Sequence, residues 1–431
     1  MGFGPSSLNS SGSRSGTNSA SQQMPAKVAL IGDSRFYLSH YVNGKNSFTK
    51  LFGPAHWLQA YSKGRITCPS SLNFGVAGDT TSQILNRLET AVSAIVAAKC
   101  KVVFLVCGTN DVSASYPARK TRQNIKRIIR RLQNEGLTVV VVSESPRGGA
   151  TYAMRDEFNQ ALIELHKWYE QMAIDMGLRK VNVWDEMVDP ATGYTALPGL
   201  TSDGLHENPT GGEIWGRKMW QSVQDLFPME GLLVEDDEAY DATNNPGGSL
   251  LANTLFRTAA SGQPNADVLP TQGSAYPASF NTSAETLAGV KTTWRLVDNG
   301  ELGKKLVIRV FGNATQAGNI LLTQDIAVSK LSVGDKLRST CLIESEGAGL
   351  GTVLLDHLVV SSSWNSQCDG DKQDASNLYP SQKLGPLSRQ TPDLVFSSDI
   401  TGLTVRFQIQ LFAGAVDATV TVSQLGTFKV T

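Results

Sequence analysis

The stretch KVALIGDS, residues 27–34, decides how the first half of the chain is read. Val28 to Gly32 carry no polar side chain and run straight into Asp33 and Ser34. A continuous apolar run, as opposed to an alternating one, marks a strand covered on both faces. Four more such runs come later: LNFGV (72–76), KVVFLVCG (101–108), TVVVVS (138–143) and KVNVWD (180–185). Between them lie segments of helical period. Residues 82–98 place Ile84, Leu85, Leu88, Val92 and Ile95 on one stripe, and 118–136 do the same with Ile125, Ile128, Ile129 and Leu132. Residues 153–177 and 211–227 complete the set. Strands alternating with helices imply βαβ units and a parallel sheet with helices on both faces. The expectation for residues 26–228 is a flavodoxin-like three-layer α/β/α sandwich around a five-stranded parallel sheet.

Outside that segment the rhythm differs. Residues 1–25 are rich in Ser, Gly and Asn, lack the apolar core of a secretory signal, and read as a flexible leader. Residues 229–248 hold the acidic EDDE (235–238) and NNPGG (244–248), a linker composition. From 249 to 431 long helical patterns vanish. Short alternating runs at 306–311, 336–343, 353–360, 403–411 and 418–422 lie between Gly, Asn, Asp and Ser turns. They predict an antiparallel, jelly-roll-like β-sandwich.

Composition removes several function classes. The 431 residues are 41% hydrophobic and carry a formal net charge of -1, so no bulk positive field recruits nucleic acid. No apolar run is long enough to span a membrane. The five cysteines, Cys68, Cys100, Cys107, Cys341 and Cys368, are too scattered for zinc spacing and read as buried thiols. No phosphate loop or dinucleotide fingerprint is present, and no cofactor or metal is implied.

The turns at the strand ends carry the chemistry, because open α/β sheets place their sites beyond the carboxyl ends of the strands. The first strand ends in Gly32-Asp33-Ser34, the second in Gly75-Val76-Ala77-Gly78-Asp79-Thr80, and the third in Gly108-Thr109-Asn110-Asp111. Ser202-Asp203-Gly204-Leu205-His206 precedes the last helix. Singly, each is also an ordinary turn or helix cap. In order, the four resemble the signature blocks of the SGNH/GDSL hydrolase superfamily. The resemblance covers about the first half of the chain. It implies a serine esterase with Ser34 as nucleophile, His206 as general base and Asp203 as the acid that orients the imidazole. It further implies an oxyanion hole built from the N–H groups of Ser34 and Gly78 and the side chain of Asn110.

Two departures from the family pattern carry expectations of their own. Arg35 stands where leucine is usual after the nucleophile; it could meet an anionic sugar, and pairing with a nearby acid is the preferred reading. Glu207 and Asn208 separate His206 from Pro209, and the charge of Glu207 is expected to raise the imidazole pKa. Tyr37, Tyr41, Trp57 and Tyr61 could floor a sugar site, with packing the plainer reading. The basic run through Arg122, Lys126 and Arg130 reads as a solvated helix face. His40, His56, His166 and His357 lack ligand-spaced partners. The expected substrate is an acylated carbohydrate, with O-deacetylation of a polysaccharide or surface glycan preferred, as in a phage tail fibre or spike. Lipid or aryl-ester hydrolysis and a non-catalytic glycan-binding adhesin are the alternatives. Localisation is expected to be extracellular or on a virion, with the cytoplasm not excluded, and a homo-oligomer is compatible with either.

Overall fold

A computed structural model describes residues 25–43, 46–148, 156–228, 233–261, 275–284, 287–361, 364–368 and 378–430. The expected leader up to residue 24 and the side chains of Tyr41 and Cys368 lie outside the described residues.

The chain enters on β1 (Ala26–Gly32), followed by the short helix α1 (Ser34–Tyr37) and a hairpin of β2 (His40–Asn43) and β3 (Asn46–Thr49). Next come α2 (Pro54–Tyr61), β4 (Ile66–Thr67), β5 (Asn73–Gly75), α3 (Thr81–Ala97), β6 (Val102–Leu105), α4 (Thr109–Ser113) and α5 (Ala118–Gln133). This half closes with β7 (Thr138–Val142), α6 (Asp156–Asp175), β8 (Arg179–Val181), α7 (Trp184–Met187) and α8 (Pro209–Val223). All pairings in the sheet are parallel, in the order β4/β5, β1, β6, β7, β8. Five positions were expected and five are filled. The outermost is shared, with β4 pairing the start of β1 and β5 its end.

The continuous apolar runs have a simple cause. Ala29, Ile31, Val103, Leu105, Val139 and Val141 pack on the side of α3, α5 and α6. Their neighbours Val28, Leu30, Val102, Phe104, Val140 and Val142 pack on the other side with α2 and α8. Each residue faces opposite to the next, and both faces are covered, so past Lys27 and Thr138 near their starts β1 and β7 carry apolar side chains only.

The second half is a sandwich of two antiparallel sheets. β9 (Asn281–Ala284), β10 (Val290–Asp298), β11 (Lys304–Ala314), β12 (Gly318–Asp325), β13 (Lys336–Ala348) and β14 (Leu350–Val360) lead into β15 (Trp364–Cys368), β16 (Leu384–Gln390), β17 (Leu394–Val395), β18 (Gly402–Leu411) and β19 (Gly414–Val430). One sheet runs β10, β11, β19, β13, β16, with β17 also on β13; the other runs β15, β14, β18, β12, β9. Inward residues such as Leu306, Ile308 and Val420 of one sheet and Ile320, Val405 and Phe407 of the other share one core.

That core crosses into the first half. Leu51, Trp57 and Ala60 belong to it, and Trp57 is fully buried with its Nε1 donating to the Leu51 carbonyl at 2.6 Å. His56 hydrogen-bonds Arg389, whose guanidinium also donates to Tyr379 Oη at 2.8 Å. Trp57 therefore packs structure, as the plainer reading held, and Tyr61 donates its hydroxyl to Glu213. The acidic stretch after α8 is also pinned. Val234 packs with Leu255, Phe428 and Val430, while Asp237 accepts the Leu255 N–H at 2.8 Å and pairs with Arg257. Cys68, Cys100, Cys107 and Cys341 are buried free thiols. Among the described residues no helix is long and apolar enough to cross a membrane.

Candidate active site

Each expected residue sits at the carboxyl edge of the sheet or in the loop that folds over it. Asp33 caps α1 by accepting the Arg35 N–H at 3.1 Å, which places Ser34 in the first turn. An N–H there has no acceptor within the helix and is available to a ligand. His206 Nε2 lies 2.9 Å from Ser34 Oγ, and its Nδ1 lies 2.7 Å from Asp203 Oδ2. Asp203 is held in turn by its own loop, its Oδ1 accepting the N–H groups of Leu205 at 2.9 Å and His206 at 2.8 Å. Partial burial works against its charge, but these N–H groups and the imidazole together hold the carboxyl below its usual range. The loop is closed by the Ser202 N–H donating to the His206 carbonyl at 2.8 Å.

The other two blocks flank this line. Gly78 has φ of +79°, and a side chain there would point into open space. A bare backbone at that point leaves its N–H approachable. Gly108 has φ of +122°, and a Cβ would stand 2.7 Å from Leu165 Cδ2, so only glycine turns the chain from β6 into α4. Asn110, in the first turn of α4, donates one Nδ2 hydrogen to the Asp79 carbonyl at 3.0 Å, leaving the second for a ligand. Asp111 accepts the Thr81 N–H at 2.8 Å and so anchors the start of α3. Arg147 donates to Thr109 Oγ1 at 2.9 Å and Ser113 Oγ at 2.8 Å, and the next N–H, of Gly148, reaches the Gly204 carbonyl at 2.8 Å. Chemically, this is a hydroxyl beside an oriented imidazole, with polar donors on neighbouring turns.

Residues 30–214 match the model of the GDSL-like Lipase/Acylhydrolase family. This half of the chain is a GDSL-like lipase/acylhydrolase domain. The platelet-activating factor acetylhydrolase IB subunit alpha1 of Rattus norvegicus is 31% identical over 143 residues, which are 32% of this chain and 52% of that protein. Its counterpart from Pongo abelii is 32% identical over 148 residues, 34% of this chain and 54% of that protein. The chain spans about half the length of these curated relatives. Among solved structures, the lipase/acylhydrolase from Enterococcus faecalis is 22% identical, covering 47% of this chain and 97% of its own, with a TM-score of 0.37.

Behind Ser34 of the GDSL domain lies a buried charge cluster. Arg35 is 1% exposed; its Nη2 meets Asp33 Oδ2 at 2.7 Å and its Nη1 meets Glu144 Oε2 at 2.8 Å. Burial opposes the guanidinium charge, and the two carboxylates outweigh it, so Arg35 keeps its proton. The pairing reading of Arg35 holds, and a buried guanidinium is not placed to meet substrate. Glu144 comes just after β7 at the same sheet edge as the other clusters, and the strand-end rule that found those would have found it too.

The expectation for Glu207 is corrected. It is 4% exposed, and burial pushes its carboxyl up to about 8 against the opposing pull of Arg35. A neutral carboxyl brings no charge to the imidazole at pH 7. Asn208 starts α8 instead of a proline directly after the histidine, its Oδ1 accepting the N–H groups of Thr210 and Gly211 at 3.0 and 3.1 Å.

Both burials have measurable consequences. Arg35→Leu strands two carboxylates and lowers stability by about 3–5 kcal/mol, whereas Arg35→Leu combined with Glu144→Leu, which leaves only Asp33 stranded, recovers part of the loss in urea unfolding. Glu207→Gln leaves the acid limb of the pH–activity profile where it is. A carboxyl with a raised pKa costs stability increasingly as pH climbs from 4.5 toward 8, so the same variant gains stability over wild type across that window.

Proposed function

We propose that the GDSL domain is a serine esterase working through an acyl-enzyme, with Ser34 attacking, His206 moving the proton and Asp203 fixing the imidazole. The observation that carries this is the unbroken line from Asp203 Oδ2 to His206 to Ser34 Oγ, at 2.7 and 2.9 Å. A serine hydroxyl is a poor nucleophile until a neighbouring base accepts its proton. His206 accepts it during attack and returns it to the departing alcohol. Asp203 holds the proton of Nδ1, leaving Nε2 as the acceptor. The negative oxygen of the tetrahedral intermediate is received by the N–H groups of Ser34 and Gly78 and the free Nδ2 hydrogen of Asn110. A water then attacks the acyl-enzyme carbonyl while His206 accepts its proton, and the proton passes to Ser34 Oγ as the acid leaves.

The substrate we propose is an O-acetyl ester on a polysaccharide or surface glycan. The curated relatives are named acetylhydrolases, which supports a small acyl group. Tyr37 supports a sugar on the alcohol side. It is 53% exposed and three positions after Ser34, while Arg35 and Phe36 between them are buried. Residues three apart share a helix face, so its ring offers an apolar platform beside the nucleophile. The β-sandwich supports a glycan-rich setting, outside the cell or on a virion.

The test is hydrolysis of p-nitrophenyl esters of increasing chain length by wild type and Ser34→Ala, with acetylated oligosaccharides in parallel. Wild-type turnover is expected to fall with chain length and to vanish in Ser34→Ala. Tyr37→Ala should raise KM for the oligosaccharide and spare p-nitrophenyl acetate. Equal activity in wild type and Ser34→Ala would defeat the esterase reading. A Tyr37→Ala that leaves oligosaccharide KM unchanged would defeat the sugar platform.

A further inference from the structure

We propose that Arg87 of α3 is a positioning residue that sets the spacing of the oxyanion donors, an inference that rests on the esterase reading of Ser34 and His206. One guanidinium reaches two of the three segments that carry a donor, and the third through one hydrogen bond more. Its Nη2 donates to the Gly32 carbonyl at 3.0 Å, two residues before Ser34. Its Nε pairs with Asp79 Oδ2 at 2.6 Å, next to Gly78. Its Nη1 donates to the Phe74 carbonyl at 2.6 Å, on the strand that leads into the Gly78 loop. The third donor is reached through a backbone group, since the carbonyl of Asp79 accepts the Asn110 amide at 3.0 Å.

The geometry suits a planar fork and not a point charge. Three acceptors on two strand ends and a loop are met from different nitrogens of one rigid group. The Gly32 carbonyl also accepts the Val76 N–H at 3.1 Å, so the first and second blocks are tied by backbone as well. The Asp79 N–H donates to the Val76 carbonyl at 3.2 Å, and what the backbone does not tie is the Asp79 side chain, which Arg87 holds beside Gly78. Pre-set donors act because they need no rearrangement when charge develops on the carbonyl oxygen. A residue that fixes three donor segments against one another therefore acts on the transition state while touching neither substrate nor product. Arg87 lies on the helix that comes after the second block, where it could also be read as a solvated cation; its side chain is 26% exposed.

The experiment compares wild type with Arg87→Lys, Arg87→Gln and Asp79→Asn on p-nitrophenyl acetate. Competent sites are counted by titration with a fluorophosphonate, and thermal unfolding is recorded in parallel. The expected result is a fall in kcat per titrated site of about 10- to 100-fold, with KM nearly unchanged. The rate of phosphonylation, which also builds charge on an oxygen in the hole, should fall in step. Arg87→Lys should not rescue, because the three N–H bonds of an ammonium leave one atom and do not span acceptors set around a planar fork. Arg87→Gln with Asp79→Asn should be no worse than Arg87→Gln alone, because the one link that Asp79→Asn weakens is already lost with the guanidinium. A kcat per site near wild type, with only the folded fraction or melting temperature lowered, would overturn the proposal and leave Arg87 as a fastener. Multiplying losses in the double variant would overturn it too. Wild type without Ser34-dependent turnover would instead bring down the esterase reading, and this proposal with it.

Discussion

The hydrogen bond between His206 Nε2 and Ser34 Oγ joins groups 172 positions apart in the chain, and the arrangement of the first half serves to make it possible. A contact of 2.9 Å tolerates little error, so both ends must be fixed independently. Ser34 is fixed from below: β1 is buried on both faces, Asp33 caps the turn, and Arg35 bolts that turn to Glu144 beyond β7. His206 is fixed from within its own loop by Asp203, which accepts two backbone N–H groups and the ring in one carboxylate. That loop is in turn stitched to Arg147 and Gly148, which hold α4 and hence Asn110. Ser34, His206 and Asn110 thus belong to one connected network.

The sandwich extends this rigidity. Trp57 belongs to α2 of the α/β half yet packs within the sandwich core, and losing a fully buried tryptophan costs about 3–5 kcal/mol in typical proteins. Ser388 and Gln390 of β16 hydrogen-bond backbone groups of residues 60, 64 and 66. The two halves thus meet through packed side chains and backbone bonds, and a substrate that touches both would meet a fixed surface.

Much of this was legible in the residues. Strands buried on both faces leave a continuous apolar signature, so five strand positions and the polar turns that follow them could be read off directly, while the roles expected of Ser34, Asp203, His206, Gly78 and Asn110 came from the resemblance of those turns to the SGNH/GDSL blocks. The rest was hidden for a common reason: a charged side chain gives no sign in sequence of whether it is solvated. Arg87 is one cation on an amphipathic helix, and Glu144, whose place after a strand was legible, gave no sign of its burial. Glu207 misled because its proximity to His206 was visible while its burial was not. Burial cancels the expected effect by pushing the carboxyl toward its neutral form. The Trp57 and Tyr61 rings likewise proved to be packing and hydrogen-bonding groups near the junction with the sandwich. That junction joins residues more than 300 positions apart, such as His56 and Arg389, which no local pattern announces.

The most direct test of the central claim is to trap the attacking atom. Wild type, Ser34→Ala and His206→Ala would each be treated with a fluorophosphonate and digested, and the modified residue located by mass spectrometry. The account predicts a single adduct on Ser34, absent from Ser34→Ala and formed far more slowly in His206→Ala. An adduct on another residue, or equal labelling of wild type and His206→Ala, would contradict it.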